Sequence, residues 1–249
     1  MGVSYPFRFR RELEPDRARL SIVDPATLSP DGLRAVRAGS GDRIVVVGAG
    51  DAFTALADQT RDLMIDPAHG NWDFFADHPS DYARSSAVEA FVPIDANRSD
   101  ASYLYAARYV LLRAITHIGE QPGATLSGVR DLVRDLPADA VAEVAGHDPG
   151  CDHSLRWAMT VLAAVRGPLQ WIGDHDRRMP KVSIARWLAG PASTLLFVRR
   201  DPDRRYHEIW AVIASLRDHA MIGRIDVEEL PLAAEAAHIR ASGVSDGDR

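Results

Sequence analysis

The apolar positions of this chain follow one period near its two ends and another in its middle. Ile44–Val47 is a continuous β-branched run, which is typical of a strand buried on both faces of a parallel sheet. Weaker apolar runs predict further strands at 19–24, 62–65, 194–198 and 224–227. Helices are predicted between these strands at 31–38, behind a Ser29 N-cap, at 52–57 and at 206–220.

Between residues 97 and 179 the apolar pattern changes to the helical period. Leu104, Ala107, Leu111, Ala114 and Ile118 recur at helical spacing and predict a helix over 103–118. Further helices are predicted at 126–136, 138–145 and 154–172, the last kinked or divided at Gly167-Pro168. Strands around an all-helical middle indicate an α/β fold whose parallel sheet is interrupted by a helical insertion.

Length and composition fit a folded protein of the cell interior. At 249 residues and 46% apolar content, the chain can bury one large core or two closely packed ones. No apolar run approaches the ~20 residues of a membrane helix, and no apolar segment follows the early arginines as in a signal peptide. The single cysteine, Cys151, excludes an internal disulfide. We therefore expect a cytoplasmic protein.

The net charge of −6 argues against general nucleic-acid binding, because that affinity comes mainly from neutralising phosphates. A local basic group is the exception to consider. The candidate contacts form an Arg-rich arm and consist of Arg8, Arg10, Arg11, Arg17 and Arg19. Unless this arm contributes, we expect DNA binding at about 10⁻⁴ M or poorer at physiological salt. Protein partners are favoured over DNA on this ground.

Several segments, in order along the chain, resemble the TraD/TrwB-type coupling ATPases of type IV secretion and conjugation. They are Asp42–Val46 with Gly50 and Phe53, Asp66-Pro67, Asn71–Phe75, Phe91–Pro93, Tyr103–Arg108, Leu162–Ile172, Val182–Leu188 and Leu195–Val198. In that family, a RecA-like nucleotide-binding domain carries an inserted all-alpha domain that engages the transfer substrate and its DNA. The resemblance covers most of residues 20–231.

The resemblance implies a division of the chain into four parts. A partial RecA-like α/β domain is expected in 19–96 and 180–231, and an inserted all-alpha domain in 97–179. Residues 1–18 would form the flexible Arg-rich arm and 232–249 a polar tail.

The nucleotide site is where the chain departs from the family. The family's P-loop, Gly-x-x-Gly-x-Gly-Lys-Ser, is replaced by Asp24–Ser29, which contains neither glycine nor lysine. A P-loop needs its glycines to cradle phosphate and its lysine to reach the β- and γ-phosphates. The one lysine of the sequence, Lys181, is preceded by no such loop.

The family's Asp-Glu-Leu-Pro is matched here by Glu228-Glu229-Leu230-Pro231, a vestigial Walker B in which Asp226 is expected to break the apolar strand. We expect the chain to lack the family's transmembrane helices and its sensor and arginine-finger elements. We therefore expect a shortened relative without ATP hydrolysis, cofactor or metal.

The leading hypothesis is a non-catalytic binding component of the secretion or conjugation machinery. Its partner would be a transfer substrate, relaxosome DNA or a full-length coupling ATPase, with Trp157 and Trp171 as a candidate partner surface. The alternative is a nucleotide-binding protein or enzyme that uses the Gly48–Phe53 turn, and a third hypothesis is a gene remnant. Phe53 occupies the third glycine position of the dinucleotide fingerprint, which favours a structural turn.

Three further groups of residues have a chemical and a structural interpretation. His147, Asp148, Cys151 and His153 could bind zinc, but they lack separated ligand pairs, which favours an ordinary loop. Trp72, Phe74 and Phe75 could stack on bases, although core packing is favoured. Arg108 is expected to form an internal ion pair rather than a phosphate contact.

Overall fold

The computed structural model describes residues 19–23, 43–49, 55–58, 60–94, 101–176, 178–191, 193–199, 207–223 and 225–229. The strands are β1 (Arg19–Val23), β2 (Arg43–Gly48), β3 (Leu63–Ile65), β4 (Leu196–Arg199) and β5 (Asp226–Glu229). The α-helices are α1 (Phe74–Asp77), α2 (Asp81–Phe91), α3 (Ala101–Gly119), α4 (Leu126–Asp135), α5 (Ala138–Val144), α6 (Asp152–Leu169), α7 (Ile184–Ala189) and α8 (His207–Ile222). A 3₁₀ helix covers Pro67–His69.

The five strands form one parallel sheet in the order β3-β4-β2-β1-β5. All six residues of β2 are buried, which confirms the strand predicted from its β-branched run. Strand β5 begins at Asp226, which pairs with Arg19 of β1. The expectation that Asp226 breaks this strand is therefore wrong. Strand pairing uses backbone groups, and the outermost described position of the sheet accepts a charged residue more readily than the centre does.

One apolar cluster joins the sheet to the helical insertion. It runs from Leu20 and Val45 in the strands to Val133 and Val165 in the insertion. Helix α2 packs against both α3 and α8, and α3 packs along α6. The insertion is therefore anchored to the sheet through a continuous core. A smaller apolar cluster covers the other face of the sheet.

The four helices predicted for the insertion are present with ends shifted by a few residues. Helix α6 is not divided at Gly167-Pro168: it continues through both residues to Leu169, and Pro168 lies in its last turn. Helix α2 was missed by the sequence pattern, although Ser80 caps its Ala83 N–H. The predicted helix at 31–38 and most of that at 52–57 lie outside the described residues. Among the described helices, none is long and apolar enough to cross a membrane.

Candidate functional site at the junction of sheet and insertion

The chain leaves the sheet and returns to it through two segments that lie side by side. Trp72 and Val182 form a parallel β-bridge, in which the Val182 N–H donates to Asn71 O at 2.8 Å and the Asp73 N–H donates to Val182 O at 2.8 Å. We call residues 66–78 and 173–187 together the junction. Its side chains show how the sequence holds the insertion in place.

Asn71 ties the outgoing segment to the sheet from a buried position. Its side-chain oxygen accepts from the Asp66 N–H at 2.7 Å. Its amide group donates to Met64 O at 2.7 Å and to Pro180 O at 3.5 Å. A buried amide with these partners is satisfied, so its role is to fix backbone and not to bind a ligand.

Asp77 is the central carboxylate of the junction and is 1% exposed. It accepts hydrogen bonds from Trp72 Nε1 at 2.8 Å and from Ser183 Oγ at 2.6 Å. It also accepts from the backbone N–H groups of Ile184 and Ala185 at 3.0 and 3.1 Å, at the start of α7. A helix N-terminus favours negative charge, and four donors occupy this carboxylate. Asp77 is thus a structural anchor, not an acid–base group.

Two glycines allow the junction backbones to touch. The Gly173 N–H donates to Pro67 O at 2.9 Å, and a Cβ at Gly173 would overlap the Ala68 carbonyl group. Gly70 lies opposite with a φ of 57°, in the left-handed region that favours glycine. A side chain at residue 173 would push the segments apart.

Arg43 closes the other end of α7. Its guanidinium donates to the carbonyl oxygens of Trp187 at 3.2 Å, Leu188 at 2.8 Å and Pro191 at 2.7 Å, and to that of Gly190. It also lies over the Trp187 ring, 5.8 Å from the ring centre. Burial lowers the pKa of Arg43 from its ordinary value. The unsatisfied carbonyl groups of a helix C-terminus are a favourable place for a cation, so β2 and α7 are held rigidly together.

A groove of about 340 Å³ lies beside α7, where β3 and β4 begin. We call it the amino-edge groove. Its lining includes three exposed cationic side chains, Arg61, Lys181 and Arg186, and the apolar residues Leu63 and Trp187. The one lysine of the sequence thus lies at the edge of the sheet opposite to the carboxyl ends of the strands.

The carboxyl edge of the sheet is organised around Asp66, which directly follows β3. Its buried carboxylate lies 3.1 Å from a guanidinium nitrogen of Arg199 at the end of β4 and 3.0 Å from Nδ1 of His69. It also caps the 3₁₀ helix by accepting from the Ala68 N–H at 3.1 Å. Ligands of open α/β sheets bind at this edge. Segment 24–29, where the P-loop of the family would stand, lies outside the described residues.

A second cleft, of about 420 Å³, lies within the helical insertion and is lined by Arg130, Arg134 and Arg166. We call it the insertion cleft. The Arg166 guanidinium donates to the carbonyl oxygens of Val133, Arg134 and Leu136 at 3.1, 2.9 and 2.8 Å, and so caps the end of α4.

The other two arginines of this cleft have carboxylate partners. Arg130 contacts Asp131 at 2.8 Å and Asp174 at 2.7 Å, and it also donates to Ile172 O. Arg134 contacts Asp131 at 2.9 Å and Asp135 at 3.1 Å. Hydrogen bonds and charge from these carboxylates outweigh burial and raise the pKa of Arg130.

The structure places the predicted site residues in different regions. Glu228 and Glu229 lie in β5, paired with Ser21 and Ile22 of β1. In the Arg-rich arm, Arg19 is the first residue of β1, and the other four arginines lie outside the described residues. Gly48 ends β2, while residues 50–53 of the Gly48–Phe53 turn are likewise not described.

The two tryptophans of the candidate partner surface differ in their surroundings. Trp157 packs on the rings of Tyr103 and His147, with ring centres at 6.5 and 4.6 Å, and so faces the insertion's own residues. Trp171 is half-buried beside the buried Ile172. Their role as a partner surface stays a prediction.

Packing decides the interpretation of the aromatic segment and of Arg108. Trp72 and Phe74 are buried, with ring centres 5.3 Å apart, as expected for core residues. Arg108 donates to Val92 O at 2.8 Å and lies 3.9 Å from Glu89, as expected for an internal partner. Sequence reasoning missed Arg43, Asp77 and the amino-edge groove. Of the residues around the groove, only Ser183 could have been recognised from the sequence, as an N-cap residue before an apolar run.

Comparison with known proteins agrees with this architecture. A family model for the type IV secretion-system coupling protein DNA-binding domain matches residues 29–222. A search of curated proteins finds no match. Three solved structures of the bacterial conjugative coupling protein TrwB are similar to the chain, each at 15% identity.

The unbound TrwBdeltaN70 form has a TM-score of 0.58, with 85% of this chain and 54% of that chain covered. The complex of TrwB with ADP and Mg²⁺ also gives 0.58, with 82% and 52% covered. The sulphate complex of TrwBdeltaN70 gives 0.60, with 90% and 61% covered. The chain thus spans between about half and three fifths of the length of these structures. They confirm the predicted fold class, a partial RecA-like parallel sheet interrupted by an inserted helical domain. By its match over residues 29–222, the chain belongs to the family of type IV secretion-system coupling protein DNA-binding domains.

Proposed function

We propose that this protein is a non-hydrolysing member of the coupling-protein family that binds DNA for the conjugation or secretion machinery. The observation that carries the proposal is the position of Lys181. The one lysine of the sequence is exposed at the amino edge of the sheet, whereas a P-loop lysine belongs beyond the carboxyl end of a strand.

The absence of nucleotide chemistry is supported by the residues that stand in place of the P-loop. Asp24–Ser29 offers no glycine whose backbone could cradle phosphate and no lysine to neutralise it. Glu228 and Glu229 keep a carboxylate pair in β5 beside β1. A carboxylate pair alone would hold a metal ion poorly without the phosphates that share its coordination.

A thermal-shift titration with Mg-ATP tests this part of the proposal. A ligand at 100 times its Kd stabilises a protein by about 2.7 kcal/mol, which is a readily measured shift. We expect no shift for this protein and a clear one for a coupling ATPase with an intact P-loop. A shift that disappears in the Glu228→Gln/Glu229→Gln variant would show that a nucleotide site is present.

The DNA-binding part of the proposal is supported by family membership and by local charge. The net charge of −6 is spread over the whole chain, but binding responds to the potential of the surface that the ligand meets. Three exposed cationic side chains line the amino-edge groove. Fluorescence anisotropy with labelled DNA, measured across a salt series, tests this part, and binding to a purified coupling ATPase without DNA would favour the protein partner instead.

A further inference from the structure

We infer that the amino-edge groove binds consecutive phosphates of a DNA backbone through Arg61, Lys181 and Arg186. This inference rests on the proposed function and names the surface that carries it. The lining side chains come from the turn before β3, from the returning segment of the junction and from α7. The groove therefore lies where the sheet and the returning end of the insertion meet.

The first argument is that the cationic groups of the groove keep their hydrogen-bonding capacity. Within the described part of the chain, the side chains of Lys181 and Arg186 make no hydrogen bond or ion pair. Arg61 makes one long contact, from its guanidinium to Ser193 O at 3.5 Å. An ammonium has three donors and a guanidinium has five, so most donors of this groove have no acceptor among the described residues.

The second argument is that no carboxylate competes for these cations in the groove. The described lining contains neither aspartate nor glutamate. The neighbouring Asp62 accepts from the backbone N–H groups of Asp58 at 2.8 Å and Leu195 at 3.2 Å. These two bonds direct the oxygens of Asp62 to backbone donors, and the described lining itself carries three cations and no anion.

The third argument is that the walls of the groove are rigid. Asp77 anchors the start of α7 and Arg43 its end, while Trp187 Nε1 donates to Thr194 O at 2.8 Å. A binding surface that is already ordered loses little conformational entropy when its ligand arrives. The groove has a volume of about 340 Å³, which is room for part of a sugar–phosphate chain.

The open shape of the groove favours an extended polyanion over a small anion. All three cationic side chains are exposed, so none is desolvated in the way that a closed phosphate site requires. DNA supplies many phosphates at once, and each neutralised phosphate releases condensed counterions, which adds affinity even at exposed contacts.

Anisotropy with a labelled DNA duplex tests the inference on the full chain between about 50 and 200 mM salt. The test variant is Lys181→Gln/Arg186→Gln. The matched control is Arg113→Gln/Arg156→Gln, which removes two exposed charges from the helical insertion. We expect the test variant to lose about tenfold or more in affinity at low salt, and its log–log salt slope to become shallower by about 1.8, at about 0.9 per phosphate. The control should behave like the wild type.

Each other outcome has a definite meaning. If the wild type binds DNA and the test variant binds equally well, the groove is not the site, although the proposed function stands. If the control variant loses affinity instead, the site lies on the helical insertion. If the wild type binds no DNA, both the inference and the DNA-binding function fail. Stabilisation of the wild type by pyrophosphate, lost in the test variant and without DNA binding, would assign the groove to a small anion and overturn the inference.

Discussion

The insertion cleft and the amino-edge groove each carry three cationic side chains, yet they differ in what those side chains contact. Arg130, Arg134 and Arg166 bind carboxylates or carbonyl groups of the protein itself. The cations of the amino-edge groove have a single long contact within the described residues. The first set is satisfied by the fold, and the second remains available to a ligand. Counting cations therefore does not identify a binding surface, whereas counting their partners does.

The same distinction applies to the net charge. A value of −6 predicts weak DNA binding if every charge counts equally. Paired arginines contribute little to the field that a ligand meets, because a carboxylate lies within 3 Å of Arg130. Unpaired cations in a concave surface contribute more than their number suggests. Three substitutions test this account, beginning with the one of largest expected effect.

Asp77→Ala should destabilise the protein most, because it removes the anchor beneath the amino-edge groove. Four donors, including Trp72 Nε1 and Ser183 Oγ, would lose their acceptor in a buried environment. We expect the free energy of unfolding to fall by about 3 kcal/mol or more. Urea denaturation measures this change.

Asp73→Ala is the matched control, since the half-buried Asp73 makes no side-chain capping bond to α1. It should cost less than about 1 kcal/mol. Equal losses for the two variants would show that Asp77 does not anchor α7.

Arg166→Met should cost about 2 kcal/mol, because three carbonyl groups at the end of α4 lose their donor while the apolar stem of the side chain is kept. Its DNA affinity, measured at a temperature where the variant is folded, should match the wild type. Arg113→Met, at an exposed position, should leave the stability within about 0.5 kcal/mol. A selective loss of DNA affinity in Arg166→Met would contradict the comparison of the two clefts, because an arginine with protein partners would then contact DNA.

His78 gives a smaller effect that depends on pH. Burial, with the Phe74 ring stacked on the imidazole, lowers the pKa of His78 below the ordinary 6.5, and the nearby His219 lowers it further. The hydrogen bond to the Phe74 carbonyl group and the charges of Asp77 and Asp218 raise the pKa, but burial outweighs them. The unfolded chain therefore takes up this proton at a higher pH than the folded protein does. The stabilising contribution of neutral His78 is complete above about pH 6.5 and is lost as the pH falls towards the folded pKa.

Urea denaturation between about pH 5 and 8 measures this dependence. In His78→Phe, the slope of the unfolding free energy against pH should become shallower below 6.5. The exposed His153→Gln serves as control and should leave the slope unchanged. An unchanged slope in His78→Phe would mean that other groups govern the acid response.

Much of the fold was predictable because apolar residues recur at strand or helix spacing within short segments of the sequence. The β-branched run of β2 and the helical spacing of α3 each predicted an element that the structure contains. Helix α2 was missed because its buried residues, Ala87, Val88 and Phe91, are confined to its second half. A short apolar stripe behind a polar start gives too few repeats to establish a period.

The candidate site was less predictable because its residues meet only through the fold. Asp77 and the backbone groups that it caps are more than 100 positions apart, as are Arg61 and Lys181. The lone lysine could be excluded from a P-loop by its neighbours in sequence, but no local pattern could place it beside Arg61. In the sequence, Arg43 is merely a polar residue at the start of a strand. Its four carbonyl partners lie at the end of α7, which only the fold brings next to β2.

The most direct test of the account compares charge removal in the two clefts. DNA affinity is measured by anisotropy for the wild type, for Lys181→Gln/Arg186→Gln and for Arg130→Gln/Arg134→Gln, with folding checked by circular dichroism. The two variants lose the same formal charge. We predict that only the first loses DNA affinity and that only the second loses stability. Equal losses of DNA affinity in both variants would contradict the account, because total charge and not pairing would then determine binding.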